Sequence, residues 1–122
     1  KYLLITLVLL LNYSSLVNGM SLKMCNKVSK ELNKKFPMQI NQNTYVNNTN
    51  CTAGRIKPTL NYYNITELTY IDIKATTKMQ KNIWCSSRQQ KKLLKEVNAK
   101  YHYYSEKGDS LGTTFLNYSM CR

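Results

Sequence analysis

Four cysteines are spread almost evenly along this chain of 122 residues, at positions 25, 51, 85 and 121. In a small exported domain such cysteines form disulfides, whereas in a cytosolic protein they more often bind metal or perform redox chemistry. The chain has no Cys-X-X-Cys pair, which argues against zinc ribbons and thioredoxin-like motifs. We therefore predict two disulfides among Cys25, Cys51, Cys85 and Cys121, and the spacing leaves all three pairings open.

The N-terminal residues indicate that the chain is exported. Lys1 precedes an apolar run over residues 2–11, and small and polar residues follow as far as Gly19. This layout is typical of a secretory signal, and the run is shorter than the about twenty apolar residues that a membrane span needs. We predict a signal peptide over residues 1–19 and a single secreted, extracellular domain over residues 20–122, without membrane insertion after cleavage.

Glycosylation sequons point to the same route. We predict glycans at Asn47, Asn50, Asn64 and Asn117, each of which is followed two residues later by Ser or Thr. Three of these sequons lie between residues 47 and 66, which indicates an exposed, glycosylated loop there. Residues 37–63 are rich in Asn and show no sustained period, so we interpret them as a long connection.

The apolar periods predict helices on both sides of that connection. Residues 21–36 have apolar positions three and four apart, with Ser21 as N-cap and Pro37 as the stop. Residues 67–73 fit a short β segment, and a helix almost as well. A second helix is predicted between residues 83 and 104, with Gly108 as its C-cap.

Eighteen Lys and Arg residues against six Asp and Glu give a net charge of +12. On the second predicted helix Arg88, Lys91, Lys92 and Lys95 form a basic stripe. Such a stripe can bind a glycosaminoglycan such as heparan sulfate, although a solvated outer helix face explains it more simply. Secretion and the scattered tyrosines argue against a nucleic-acid partner.

Catalytic patterns are absent from the sequence. His102 is the single histidine, which excludes two-histidine acid/base pairs and multi-histidine zinc sites. The few carboxylates form no catalytic pair, and the sequence has no phosphate loop, Ser-His-Asp grouping or metal cluster. We therefore expect no catalytic residues, no metal and no cofactor, and a protein that is not an enzyme.

Several short segments, taken in order, resemble one family. Glu31 stands six residues after Cys25 on the first predicted helix, and the segment 66–75 reads Thr-Glu-Leu-Thr-Tyr-Ile-Asp-Ile-Lys-Ala. Ile-Trp-Cys at 83–85, Tyr-Tyr-Ser at 103–105 and Tyr-Ser-Met-Cys at 118–121 follow. This order resembles the interleukin-4/interleukin-13 family of short-chain helical cytokines.

The resemblance implies a mainly α, four-helix-bundle cytokine. Only five residues separate Gly112 from Tyr118, where the family has about two helices, so helices three and four would be truncated or missing. The resemblance also implies disulfides that join Cys25 to Cys121 and Cys51 to Cys85.

In function, the resemblance implies a secreted, monomeric cytokine that bridges two leukocyte receptor chains and promotes B-cell and type 2 T-cell responses. Glu31 would contact an interleukin-4 receptor alpha-type chain, and Tyr118 and Ser119 would contact a second cytokine receptor chain. The alternatives are a truncated receptor antagonist, or a secreted cationic host-defence or glycosaminoglycan-binding protein that uses the basic stripe.

Overall fold

A computed structural model describes residues 19–122, so the predicted signal peptide lies outside the described residues except for Gly19. Three helices and five strands make up most of this part of the chain. In chain order they are α1 (Leu22–Asn33), β1 (Met38–Asn41), β2 (Thr44–Thr52), β3 (Thr59–Thr66), α2 (Ile73–Ser86), α3 (Arg88–Leu94), β4 (Asn98–Ser105) and β5 (Ser110–Leu116), followed by a 3₁₀ turn (Tyr118–Cys121).

Helix α1 confirms the predicted start of the first helix. The Ser21 hydroxyl accepts a hydrogen bond from the backbone N–H of Met24 at 3.0 Å, as an N-cap does. Cys25, Val28 and Leu32 are buried along one face, at the predicted three- and four-residue spacing. The helix ends at Asn33, three residues before the predicted end at Phe36.

The five strands form one sheet in the order β1-β2-β3-β4-β5. Neighbouring strands are antiparallel except for β3 and β4, which are parallel and pair from Thr59 with Asn98 to Thr66 with Ser105. A parallel pair requires a crossover connection, and α2 and α3 provide it. Because of this crossover, residues near 59 and near 98 begin their strands side by side.

Aromatic side chains fill the core between the sheet and the helices. Trp84 of α2 donates from its indole N–H to the Tyr101 hydroxyl at 2.9 Å, and its ring meets Tyr62 edge-on. Tyr62 and Tyr101 stack across the parallel pair with centroids 4.6 Å apart. Burial raises the pKa of Tyr103 to about 12, although the hydrogen bond from Gln80 opposes this shift. The buried hydroxyls therefore stay protonated and orient α2 on the sheet.

The prediction of a mainly α bundle is wrong. The predicted helix over residues 83–104 is instead the end of α2, the short helix α3 and strand β4. In β4 the side chains of Ala99, Tyr101 and Tyr103 are buried and alternate with more exposed ones, which is the two-residue period of a strand. Gly108 does not cap a helix: it lies in the turn between β4 and β5 with φ of 92°.

The predicted connection over residues 37–63 is also wrong, since β1, β2 and more than half of β3 occupy it. Its buried polar residues include Thr44 and Thr49 on the inner face and Asn61 on the other face. The short β segment predicted over residues 67–73 is not a strand: residues 67–72 form neither strand nor helix, and α2 begins at Ile73.

Both disulfides differ from the pairing that the family resemblance implies. Cys25 is bonded to Cys51, which attaches α1 to β2. Cys85 is bonded to Cys121, which attaches the end of α2 to the 3₁₀ turn. The resemblance would have joined α1 to the C-terminus, but in this fold Cys51 is the residue opposite Cys25.

Candidate binding face

One face of the sheet carries the helices, and the other is open. The open face presents a band of aromatic residues from four strands. Two of these residues, Tyr45 and Phe115, are 39% and 42% exposed. Cross-strand pairing places the others between these two. They are Tyr63 of β3 and His102 and Tyr104 of β4. Such large, partly exposed side chains give a binding surface with little loss of conformational entropy.

A polar network fixes the middle of this open face. The Asn61 side-chain amide donates to Asn50 Oδ1 at 3.0 Å and to Thr52 Oγ1 at 3.1 Å. Its oxygen Oδ1 therefore faces His102 Nε2, 2.9 Å away, and this geometry makes Nε2 the donor. Tyr63 stacks on His102 with centroids 4.7 Å apart. Burial, and then the positive charge of Lys100, lowers the pKa of His102.

The open face ends in a groove, where β3 and β4 begin and β5 finishes. The loop between β2 and β3, residues 53–58, walls one side, and residues 117–119 wall the other. The groove has a volume of about 650 Å³. Its lining residues are Gly54, Arg55, Ile56, Lys57, Thr59, Lys95, Asn98, Phe115, Asn117, Tyr118 and Ser119.

The groove is cationic. Arg55, Lys57 and Lys95 belong to its lining, and no acidic residue does. Lys57 Nζ donates to the Leu94 carbonyl oxygen at 2.5 Å; burial lowers its pKa, and the carboxylate of Glu96 opposes that shift. Lys95 Nζ lies 5.3 Å from the centroid of the Tyr118 ring, in a cation–π contact. Glu96 is buried beneath this end and does not face the groove.

The opposite end of the sheet has the opposite charge. A hollow of about 220 Å³ lies there between the loop after β3 and the β4–β5 turn. Glu67, Glu106 and Asp109 line it together with one cation, Lys107. Among residues 19–122, no three His, Cys, Asp or Glu side chains are placed to hold a metal ion.

The structure brings only some of the predicted site residues to the groove. Tyr118 and Ser119 line it, and so does Lys95 of the basic stripe. Arg88, Lys91 and Lys92 lie on α3, outside the lining. Glu31 lies on α1 and pairs with Lys34, the C-cap residue of this helix, at 2.8 Å.

Sequence reasoning missed the other groove residues, which come from three separate parts of the chain. Arg55, Lys57, Asn98 and Phe115 form no motif in the sequence. The run of Gly, Arg and Lys at 54–57 between polar stretches was the only signal at hand, and it suggested no more than a turn.

The predicted glycosylation sites differ in accessibility. Asn47 and Asn50 are exposed on β2, and Asn117 is half-buried beside the groove. Asn64 is fully buried, and its amide donates to the backbone oxygens of Tyr62 and His102. A glycan on Asn64 is therefore incompatible with the folded sheet.

In the part of the chain from residue 19 onward, no helix has the length and apolar character needed to cross a bilayer.

No protein-family model matches the sequence, and no curated protein matches it either. Three solved structures share the fold. A protein of Pseudomonas aeruginosa proposed to be secreted is 17% identical, covers 89% of this chain and 100% of its own, and has a TM-score of 0.68. The pilotin EpsS of the Vibrio vulnificus type 2 secretion system is 9% identical, with 82% and 90% covered and a TM-score of 0.65.

The type II secretion pilotin AspS from Vibrio cholerae is also 9% identical, with 81% and 90% covered and a TM-score of 0.61. Identities this low show a common fold and no more. All three matches extend over more than four fifths of this chain, so they concern the whole sheet and its helices.

These structures overturn the cytokine interpretation. The neighbours are a protein proposed to be secreted and two pilotins, and the chain forms a five-stranded sheet. The cytokine function, its two receptor chains and the interleukin-4 resemblance are therefore wrong. Two segments carried the resemblance. In this fold segment 66–75 spans the end of β3, a loop and the start of α2, and segment 103–105 is the end of β4. The two disulfides and the first neighbour are compatible with an extracellular or envelope location.

Proposed function

We propose that this chain is a non-catalytic binding protein of the extracellular space or cell envelope, and that its groove binds an acidic segment of a protein partner. The observation that carries the proposal is the composition of the groove. Three cations and the side chains of Ile56, Phe115 and Tyr118 line it, without an acidic residue. An acidic segment with one large apolar residue matches this combination.

The two parts of the lining have different roles in this proposal. Arg55 and Lys95 are exposed at the rim, where charge speeds encounter and excludes partners of the same sign. Phe115 is 42% exposed and can lose its remaining water against an apolar side chain, which adds affinity. The groove opens onto the sheet face, so an extended segment can continue from it toward Tyr63 and His102.

The state of the polar side chains supports binding in preference to catalysis. His102 Nε2 is engaged with Asn61, and the Tyr101 and Tyr103 hydroxyls are buried in hydrogen bonds to α2. A nucleophile with an adjacent base is what covalent catalysis needs. The groove lining contains three hydroxyl groups, those of Thr59, Tyr118 and Ser119, and no histidine or carboxylate that could act as their base. The Ser119 Oγ is directed to Asn117 at 2.6 Å.

The fold neighbours support a partner in a secretion apparatus, because two of them are pilotins of type 2 secretion systems. In this proposal the chain docks on an acidic segment of an envelope protein.

Peptide binding tests the proposal. A fluorescein-labelled dodecapeptide in which Asp and Leu alternate is titrated with the exported protein, and anisotropy is measured at low and high salt. We expect saturable binding that weakens with salt, and a loss of about tenfold in affinity for Lys95→Glu.

Lys107→Glu is the matched control, since it makes the same charge change at the acidic end and should bind like the wild type. Equal affinity for a peptide in which Lys replaces Asp, or equal weakening by both variants, would contradict the proposal.

A further inference from the structure

Ile56 is the most exposed large apolar side chain in the described part of the molecule, at 87%. It lies on the loop of residues 53–58, between Arg55 and Lys57. The loop turns so tightly at Gly54 that a Cβ there would collide with the Lys57 carbonyl oxygen, so this position requires glycine. The backbone therefore holds Ile56 outward between two basic residues, and the groove leaves most of its surface in water.

A second hollow, of about 190 Å³, lies on the other side of this loop, toward the start of α1. Apolar side chains from both segments surround it, and Leu22 is 41% exposed there. Its lining residues are Met20, Ser21, Leu22, Ala53, Gly54, Ile56, Lys57 and Pro58, without an acid. Lys23 and Arg55 are exposed next to Leu22 and Ile56 in the sequence. Two projecting apolar side chains are thus accompanied by three cations.

The chain enters the domain beside this loop. The backbone N–H of Met20 donates to the Glu96 carbonyl oxygen at 3.2 Å, and Gly19 lies against Lys57. The apolar run of residues 2–11 ends eight residues before Gly19. Eight residues reach at most about 28 Å when extended. In a precursor whose predicted signal peptide enters a bilayer, Gly19 would therefore lie no farther than this from that bilayer.

We infer that loop 53–58, together with Leu22, forms a contact surface for an anionic lipid bilayer. Ile56 and Leu22 enter the interfacial region, while the exposed Arg55 and Lys23 meet lipid phosphates. This surface shares Arg55, Ile56 and Lys57 with the groove lining, whereas Lys95 and Phe115 belong to the proposed peptide contacts alone. Apolar side chains beside cations match the boundary between acyl chains and anionic headgroups better than they match water.

Vesicle binding of the exported protein, with its N-terminus established by mass spectrometry, tests this inference. The probes are vesicles of phosphatidylcholine with and without about 30 mol% phosphatidylglycerol, an anionic lipid that gives the vesicle surface a negative potential. We expect binding only with phosphatidylglycerol, a loss of about tenfold for Ile56→Ser, and a loss of about fivefold for Arg55→Ala. Tyr70→Ser is the matched control, because Tyr70 is 74% exposed on the opposite end of the sheet and should not matter.

A position-specific measurement covers the case in which the N-terminal run itself binds vesicles. Ile56→Trp should show a blue-shifted emission that brominated lipid quenches, whereas Tyr70→Trp should not; Trp84 is buried and contributes a constant background. Equal quenching at both positions, or wild-type vesicle binding by Ile56→Ser, would overturn the inference. Peptide binding is tested separately by Lys95→Glu, because Lys95 lines the groove but not the hollow beside α1.

Discussion

The two ends of the sheet differ in charge, in cross-linking and in openness. The groove end carries Arg55, Lys57 and Lys95 around about 650 Å³, whereas the opposite end carries Glu67, Glu106 and Asp109 around about 220 Å³. Asp72, which caps the start of α2, belongs to the acidic end as well. The net charge of +12 is therefore not a uniform property of the surface, because four of the six acids lie at one end.

The two disulfides follow the same division. Cys51 lies near the end of β2 that faces the groove, and Cys121 follows the residues that wall it. The acidic end has no disulfide among residues 19–122, and it relies on hydroxyl contacts such as Thr44 Oγ1 to Thr66 Oγ1 at 2.8 Å. Both disulfides therefore cross-link the backbone near the groove end of the sheet.

Removal of the Cys85–Cys121 disulfide should have the largest effect on the difference between the two ends of the sheet. For Cys85→Ser combined with Cys121→Ser we expect a loss of about 2–5 kcal/mol in the free energy of unfolding, measured with urea. Because Cys121 anchors the 3₁₀ turn, amide exchange should rise first around residues 117–121 and leave β1 and the acidic end unchanged. Uniformly faster exchange across the sheet would contradict a groove end that is locally fixed.

Asn61→Ala should have the next largest effect. The substitution removes the amide that links Asn50, Thr52 and His102, and we expect a loss of about 1–3 kcal/mol in stability. It should also weaken peptide binding, since these residues adjoin the groove. Thr66→Val is the matched variant at the acidic end: it should cost stability of the same order but leave peptide affinity unchanged. If both variants changed affinity equally, the contrast between the ends would fail.

The smallest expected effect is a pH dependence from His102. Burial and Lys100 lower the pKa of His102 in the folded protein. As the pH falls, His102 is therefore protonated in the unfolded chain before it is protonated in the folded protein. The stability contribution is thus complete above the ordinary histidine pKa of about 6.5 and is lost as the pH falls through the lower folded value. Unfolding measured between pH 7 and pH 5 should show a shallower acid slope for His102→Gln. An unchanged slope would mean that His102 does not contribute to the loss of stability at acidic pH.

Some of the fold was predictable because local signals decided it. The start of α1 was predictable from Ser21 and the spacing of Cys25, Val28 and Leu32. Strand β4 was not, because Leu94, Val97, Tyr101 and Tyr104 fit a helical period while Ala99, Tyr101 and Tyr103 fit a strand period. The strand prevails through contacts that are distant in sequence, such as Trp84 with the Tyr101 hydroxyl.

Strands β2 and β3 were hidden for a different reason. Their inner faces include Thr44, Thr49, Asn64 and Thr66, which are buried but polar, so hydropathy does not alternate clearly. Their side chains form hydrogen bonds across the sheet, such as Thr44 with Thr66 at 2.8 Å, or with α1, such as Thr49 with Ser29 at 2.8 Å. The groove was unpredictable as well, because the parallel pairing of β3 with β4 is what brings Lys57 close to Lys95.

Chemical-shift mapping of the acidic dodecapeptide on the ¹⁵N-labelled exported protein tests the central claim most directly. We predict that saturating peptide shifts the amides of residues 54–59, 95–98 and 115–119 and leaves residues 67–72 and 106–111 unchanged. Shifts that cluster at the acidic end, or that are spread evenly over the surface, would contradict the assignment of the groove as the binding site.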